Sequence, residues 1–393
     1  MAITPRPLPP CVAFRYHDSF VALLSRLGWC SEMATFGELI RSYRQRAGLG
    51  LRTFAALVDE RASTVSAIEC GRRAPWRSAP MLEQTAEVLG ISTNSNLWEK
   101  IRKLAKETSQ TTNGQPHSGP ATPGRLVWWW HTDGAPALDQ GELIDLANFV
   151  GALGDLEPFQ PDCDRVDSLT ELSIEWRARR LLGGRDGSLA AASVDVEAAL
   201  ENEADVQLEI VPGLIPRFSV QACAVVTSDG LKLLVDRIVA DSRPMASYRE
   251  LLAHTYAPVA LWKADTSWTA NWFLAAQSSA AWQQRQRDCE RFALATLLPA
   301  NAVLTRAEAA FTEIVQQQGW VEVDAAVRTL RNRLAEQFAV PTALIHRRLL
   351  GWPCHLYGRV AQALAAQEPT LPPLDWLADE ATPRQRMLFD LAK

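Results

Sequence analysis

The chain has 393 residues, too many for one hydrophobic core of usual size, so two or three domains are expected. Hydrophobic residues make up 47% and charged residues 22%, the balance of a globular protein and not of a disordered or fibrous one. The net charge of −5 conceals a basic segment, Ala34 to Lys106, with 12 Lys/Arg against 7 Asp/Glu, set in an acidic remainder. A local basic excess is the footprint of a polyanion site. No apolar run reaches the ~18 residues that a membrane span needs, so no membrane partner is expected. Met1 to Pro10 lacks the basic start and apolar stretch of a signal peptide. The seven cysteines (Cys11, Cys30, Cys70, Cys163, Cys223, Cys289, Cys354) are scattered and never spaced as CxxC. That pattern suits reduced thiols in a cytoplasmic protein and argues against a disulfide framework or a thiolate zinc site.

In chain order, residues 12–30 read as a short amphipathic helix with Val12, Phe14, Phe20, Leu23, Leu24 and Leu27 on one face. Residues 35–106 are helix after helix joined by short turns. Glu107 to Arg125 is rich in Ser, Thr, Gly, Pro and Gln and almost free of apolar residues, the composition of a linker. Helical patterns follow at Leu143–Leu153 and Leu172–Leu182. Val206, Leu208 and Ile210 alternate with polar residues, as in a half-buried strand. Ala222–Thr227 and Leu231–Val235 flank Ser228-Asp229-Gly230, a hairpin signal. From Tyr248 onward the chain reads mostly helical.

Leu51 to Cys70, LRTFAALVDERASTVSAIEC, carries two short apolar stripes: Phe54, Ala55 and Val58, then Val65 and Ile68. Ala55 falls where two helices must cross closely. Asp59 falls at a tight turn that needs positive φ, which Asp tolerates. Ser63 and Thr64 suit a helix start. Flanking helices carry Leu39, Ile40 and Tyr43 before, and Leu82, Ala86 and Leu89 after. Together, FGELIRSYRQRAGL, STVSAIECGRRAP and LEQTAEVLGIS resemble the phage-repressor (XRE) family of helix-turn-helix domains over residues 35–92. The resemblance implies that Arg61, Ala62, Ser63, Ser66, Ala67 and Cys70 face the major groove, with Arg52, Arg72 and Arg73 on phosphates. Leu51 departs from the Gln that many members carry there, and Arg61 is the one long side chain in the base-reading set.

Further along, SIEWRARRLL, a strand, a hairpin, YRELLAHTYAPVALW, RDCERFALATLLP and LAEQFAVPTALIHRRLLGW follow in an order that resembles the ImmA/IrrE metallopeptidases over residues 173–352. In that chemistry two His one helical turn apart hold zinc and a Glu between them activates water. Here the stretch is His254-Thr255-Tyr256-Ala257-Pro258: the first His is present, Thr255 replaces the base and Pro258 the second His. Asp288 aligns with the third ligand. One His and one Asp are too few for zinc, so no metal and no cofactor are expected, and Pro258 is expected to kink or end its helix. Leu334 to Leu349 reads as a second helix-turn-helix or as packed core, and Trp128-Trp129-Trp130 as a stacking patch or as an anchor to a core.

The expected fold is multidomain: an all-α helix-turn-helix domain, then an α+β zincin-like (pseudo-peptidase) domain. The expected layout is a helical extension (1–34), the helix-turn-helix domain (35–106), a linker (107–125), a helical connecting segment (126–172), the peptidase-like domain (173–352) and a tail (353–393). The expected function is a cytoplasmic transcriptional regulator that binds double-stranded DNA as a homodimer and answers to a small-molecule or protein effector. Two alternatives stand beside it. One is a working zinc peptidase that cleaves a repressor; the other is an antitoxin-like or phage-defence interaction protein. The linker composition predicts that limited proteolysis cuts first within 107–125; first cuts elsewhere, read by mass spectrometry, would move the boundary.

Overall fold

A computed structural model describes residues 35–111, 125–131, 138, 140–150, 169–183, 193–204, 206–227, 230–262 and 280–372. The expected helix at 12–30 and most of the expected linker lie outside these residues.

Five helices open the described chain: α1 (Phe36–Arg46), α2 (Leu51–Leu57), α3 (Ala62–Glu69), α4 (Ala79–Val88) and α5 (Asn96–Thr111). Thr35 starts α1 with a capping box: its hydroxyl accepts from Glu38 N–H at 3.3 Å, and Glu38 Oε2 accepts from Thr35 N–H at 2.8 Å. Between α2 and α3, Asp59 takes φ 54°, the left-handed conformation expected of it, and Glu60 N–H closes the turn on Ala55 O at 2.9 Å. Phe54, Ala55, Val58, Val65 and Ile68 are all buried, so the sequence stripes form the core of this unit. Trp76 packs edge-on against Phe36, ring centroids 6.1 Å apart. α5 runs on to Thr111, past the boundary that composition suggests.

β1 (Arg125–His131) lies in the segment expected to be helical, where Val127 and three Trp give strand propensity. Next come α6 (Gln140–Phe149), α7 (Glu171–Leu181), α8 (Val196–Glu203), β2 (Val206–Val211), α9 (Leu214–Phe218), β3 (Val220–Thr227) and β4 (Gly230–Asp236). The strands form one sheet in the order β1-β3-β4-β2. β3 and β4 make the expected antiparallel hairpin, with Thr227 opposite Gly230. The sheet is mixed, not purely antiparallel, because β2 runs parallel to β4.

Seven helices complete the described residues: α10 (Arg237–Ser242), α11 (Met245–Trp262), α12 (Ala280–Leu297), α13 (Ala300–Gln318), α14 (Val323–Phe338), α15 (Thr342–Leu350) and, within the stretch taken as tail, α16 (Leu356–Ala366). α11 packs on β3 and α12, and α16 on α14 and α15. α11 does not end at Pro258, one of the two outcomes expected of it, but continues four residues further. Losing the N–H costs about 3 kcal/mol in a helix interior. Burial of Leu251, Leu252, Ala257 and Leu261 offsets it, and Arg177 from α7 donates to the last carbonyls, Ala260 O (2.8 Å) and Leu261 O. α14 and α15 repeat the turn of α2 and α3: Ala339 has φ 50°, and Val340 N–H bonds Ala335 O at 3.0 Å. Leu334, Ala335, Phe338, Leu344 and Ile345 of this pair are buried in core.

Of the glycines in the helical unit, Gly37 leaves the least room for a side chain. A Cβ there would sit 2.2 Å from Ile68 O and 2.6 Å from Glu69 O, both backbone atoms that cannot swing away. Gly37→Ala should therefore cost about 1–3 kcal/mol of stability by overpacking, read as a lower midpoint in urea with an unchanged slope.

Candidate nucleic-acid interface

The second helix of the helix-turn-helix, α3, is not open to solvent along its length. It lies against the edge strand β2 and against α10. In an edge strand, alternate residues turn both backbone groups away from the sheet. Ile210 is one of these. Its N–H donates to Ser66 Oγ at 2.9 Å, and its carbonyl accepts from Arg72 Nη2 at 3.0 Å. Ser66 is 0% exposed as a result. Arg72 also faces Glu209 at 3.9 Å, and Glu209 pairs with Lys232 at 3.5 Å.

Three acidic residues of the downstream region occupy backbone amides of the helix-turn-helix. Asp241 on α10 accepts from Ser63 N–H at 3.1 Å and from Ser63 Oγ at 2.7 Å. Asp195, which also caps its own helix α8 at Ala198 N–H, accepts from Gly50 N–H at 3.2 Å and from Thr53 Oγ1 at 2.9 Å. Glu197 accepts from Arg52 N–H at 2.7 Å and from the Tyr248 hydroxyl at 2.7 Å. Burial, with Asp195 beside it, holds the Glu197 carboxyl up at about 8. Near neutral pH it therefore occupies that amide mainly as the uncharged acid. The Arg52 guanidinium lies over the Tyr248 ring, 4.6 Å from its centroid.

Beneath these contacts sits a buried charge cluster. Arg44, 0% exposed, forks onto Glu69 of α3 (2.8 and 2.9 Å) and onto Glu201 of α8 (2.5 and 2.9 Å). Burial alone would lower the Arg44 pKa, but the hydrogen bonds with Glu201 and Glu69 outweigh it and raise it. Arg41 adds a second cation, 3.3 Å from Glu69.

The base-facing set divides accordingly. Arg61 is exposed, as is Arg73 of the phosphate-facing set, and Arg73 braces Thr64 Oγ1 at 3.1 Å. They line a shallow recess with Asp59 and Glu60. Ala62 and Ser66 are buried, Ser63 and Ala67 are half-buried, and Cys70 is half-buried with its Sγ accepting from Arg41 Nη2 at 3.2 Å. Asp195, Glu197, Glu201 and Asp241 were not singled out from the sequence. The one signal available was the acidity of the chain outside the basic segment.

The peptidase-like residues are placed on two packed helices. His254 is 5% exposed inside α11, and burial pulls it down to about 3, so it is neutral. Thr255 is fully buried and donates its hydroxyl to Leu251 O at 2.7 Å. Pro258 is buried in the same helix. Asp288 on α12 is 1% exposed and accepts from Gln284 Nε2 at 2.9 Å, with Arg291 at 3.5 Å. Among the described residues, no group of three or more His, Cys, Asp or Glu is gathered as a metal site would require.

Residues 35–95 match a helix-turn-helix domain, a fold of DNA-binding regulators. No curated protein and no solved structure matches the chain. Among the described residues, no helix is long and apolar enough to cross a membrane.

The burial of His254 has a consequence in acid. Its pKa falls on folding from 6.5 to about 3, so its contribution is intact above pH 6.5 and is lost as pH falls toward 3. The slope approaches 1.4 kcal/mol per pH unit in that window. His254→Gln should flatten the fall in stability between pH 6 and 4, measured by urea titration. An unchanged slope would show that His254 does not enter the core uncharged.

Proposed function

We propose that the chain is a transcription regulator that binds duplex DNA through residues 35–95. Its downstream region is then a peptidase-like scaffold of the ImmA/IrrE type that has kept the shape and given up the hydrolysis. The observation that carries the DNA half is the helix-turn-helix match together with Arg61 and Arg73, exposed at the start of α3 and just after it. A helix start with basic side chains beside it is how this fold holds phosphates and reaches base edges. One such domain reads a half-site, so the working form is a homodimer. The scaffold half is supported by what replaces the chemistry. Thr255 spends its hydroxyl on the helix backbone, and Asp288 is engaged by Gln284 and Arg291. On this reading the scaffold receives the effector.

A second reading, favoured by the covered face of α3, is an interaction protein whose helix-turn-helix serves only as a packing unit. Salt decides between them. Binding to duplex fragments, followed by fluorescence anisotropy from 50 to 200 mM salt, should weaken with a log–log slope of roughly −0.9 per phosphate contacted. Arg73→Ala should weaken binding to all sequences alike, whereas Arg61→Ala should relax sequence preference. Absence of binding to any fragment at low salt, in this chain and in a variant with α3 uncovered, would leave the packing-unit reading.

A further inference from the structure

Resting on the DNA-binding reading, we propose that the downstream region is an intramolecular competitor of DNA: it holds the helix-turn-helix shut, and the two must part before α3 can enter a groove. The competition is for the same atoms. Backbone N–H groups at helix starts are where this fold holds phosphates. Here the Ser63 and Gly50 amides already donate to Asp241 and Asp195, and the Arg52 amide to Glu197. A carboxylate offers two acceptor oxygens and a negative charge, as a phosphate does, so Asp241 at the start of α3 takes an amide that a phosphate would need. Side chains meant for bases are spent as well. The Ser66 hydroxyl is taken by Ile210 N–H and is fully buried beneath β2, so no base edge reaches it in this arrangement. Arg72, a candidate phosphate contact, is bound to the Ile210 carbonyl.

The seam is also shaped for close approach. Gly50 has φ −67°, a conformation open to any residue, so the helix-turn-helix does not require glycine there. The downstream region does. A Cβ on Gly50 would lie 2.3 Å from Asp195 Oδ1 and 2.7 Å from Glu197 Cβ. Asp195 is pinned as the cap of α8, and Glu197 Cβ is fixed to its backbone, so neither yields cheaply. The glycine thus serves closure, not the fold of the domain that contains it.

DNA and closure then exclude one another, and affinity for DNA is scaled by the fraction of open chains. Two changes open the seam from opposite sides without touching Arg61, Ser66, Arg72 or Arg73. Asp241→Asn weakens the hold on Ser63, and Gly50→Ala wedges the α2 side. The probe is a labelled duplex of about 30 base pairs, recovered from a random library with the doubly substituted full-length chain. That chain should bind it at least about tenfold tighter than the unmodified chain, with the same enriched sequence in both selections. Hydrogen exchange without DNA should be faster at residues 62–69 in the substituted chain. In the unmodified chain, adding the duplex should speed exchange at Ile210, whose amide is released when Ser66 leaves; this needs no substitution and holds even if the variant folds poorly. Equal affinities for the two chains, or an Ile210 amide unmoved by bound duplex, overturns closure while leaving DNA binding intact. Failure of both chains to bind any duplex, with exchange at 62–69 still faster in the variant, overturns the DNA-binding reading and this inference with it.

Discussion

A single guanidinium ties the two halves of this chain together. Arg44 lies between Glu69, from its own helical unit, and Glu201, more than 150 residues away, with no exposure to solvent. A buried charge survives only if it is paired and its hydrogen bonds are filled. Arg44 therefore dictates that α8 sit against the helix-turn-helix in one register, and the contacts of Asp195 and Glu197 follow because they lie on or beside the same short helix. Such clusters add little net stability, because desolvation cancels much of the attraction, but they make every other register costly. The polar part of the seam is specific without being strong.

Its chemistry matches that description. The hydrogen bonds joining α2 and α3 to the downstream region are those of carboxyl groups on amides and hydroxyls, together with Ile210 N–H on Ser66, and the Arg52 guanidinium lies over the Tyr248 ring. Each hydrogen bond exchanges water for protein at a net gain of about 0.5–1.5 kcal/mol, more where charged, and each can be rehydrated. Buried apolar residues of both halves also belong to one contiguous cluster, so parting them exposes apolar area as well as polar groups.

The helix-turn-helix was legible because its information is local. Phe54, Ala55, Val58, Val65 and Ile68 recur at helical spacing, and Asp59 marks the left-handed turn within a few residues of everything it touches. The β3–β4 hairpin was legible for the same reason. The cover over α3 was not, since its partners are 144 to 178 residues apart. Asp195 and Asp241 look in the sequence like ordinary solvent-facing acids near short helices, and nothing local says that a basic domain lies across them. β1 was missed because its strand propensity is realised only against β3, which follows some ninety residues later. The continuation of α11 past Pro258 likewise reflects burial from several sides, which a local rule about proline does not contain.

β2 stands at the end of the sheet order, and what covers its free side is a helix, not another strand. Were α3 to lift away, Ile210 would present an unmatched donor and acceptor on a strand whose residues alternate buried and partly exposed, Val206 to Val211. A bare edge of this kind is a template for a strand from any neighbouring chain. Glu209, in the middle of that edge, is the one charge posted on it. Opening thus creates a second reactive border at the moment the first is uncovered, so an open chain left unoccupied is a sticky one, and self-association should rise with the lifetime of that state.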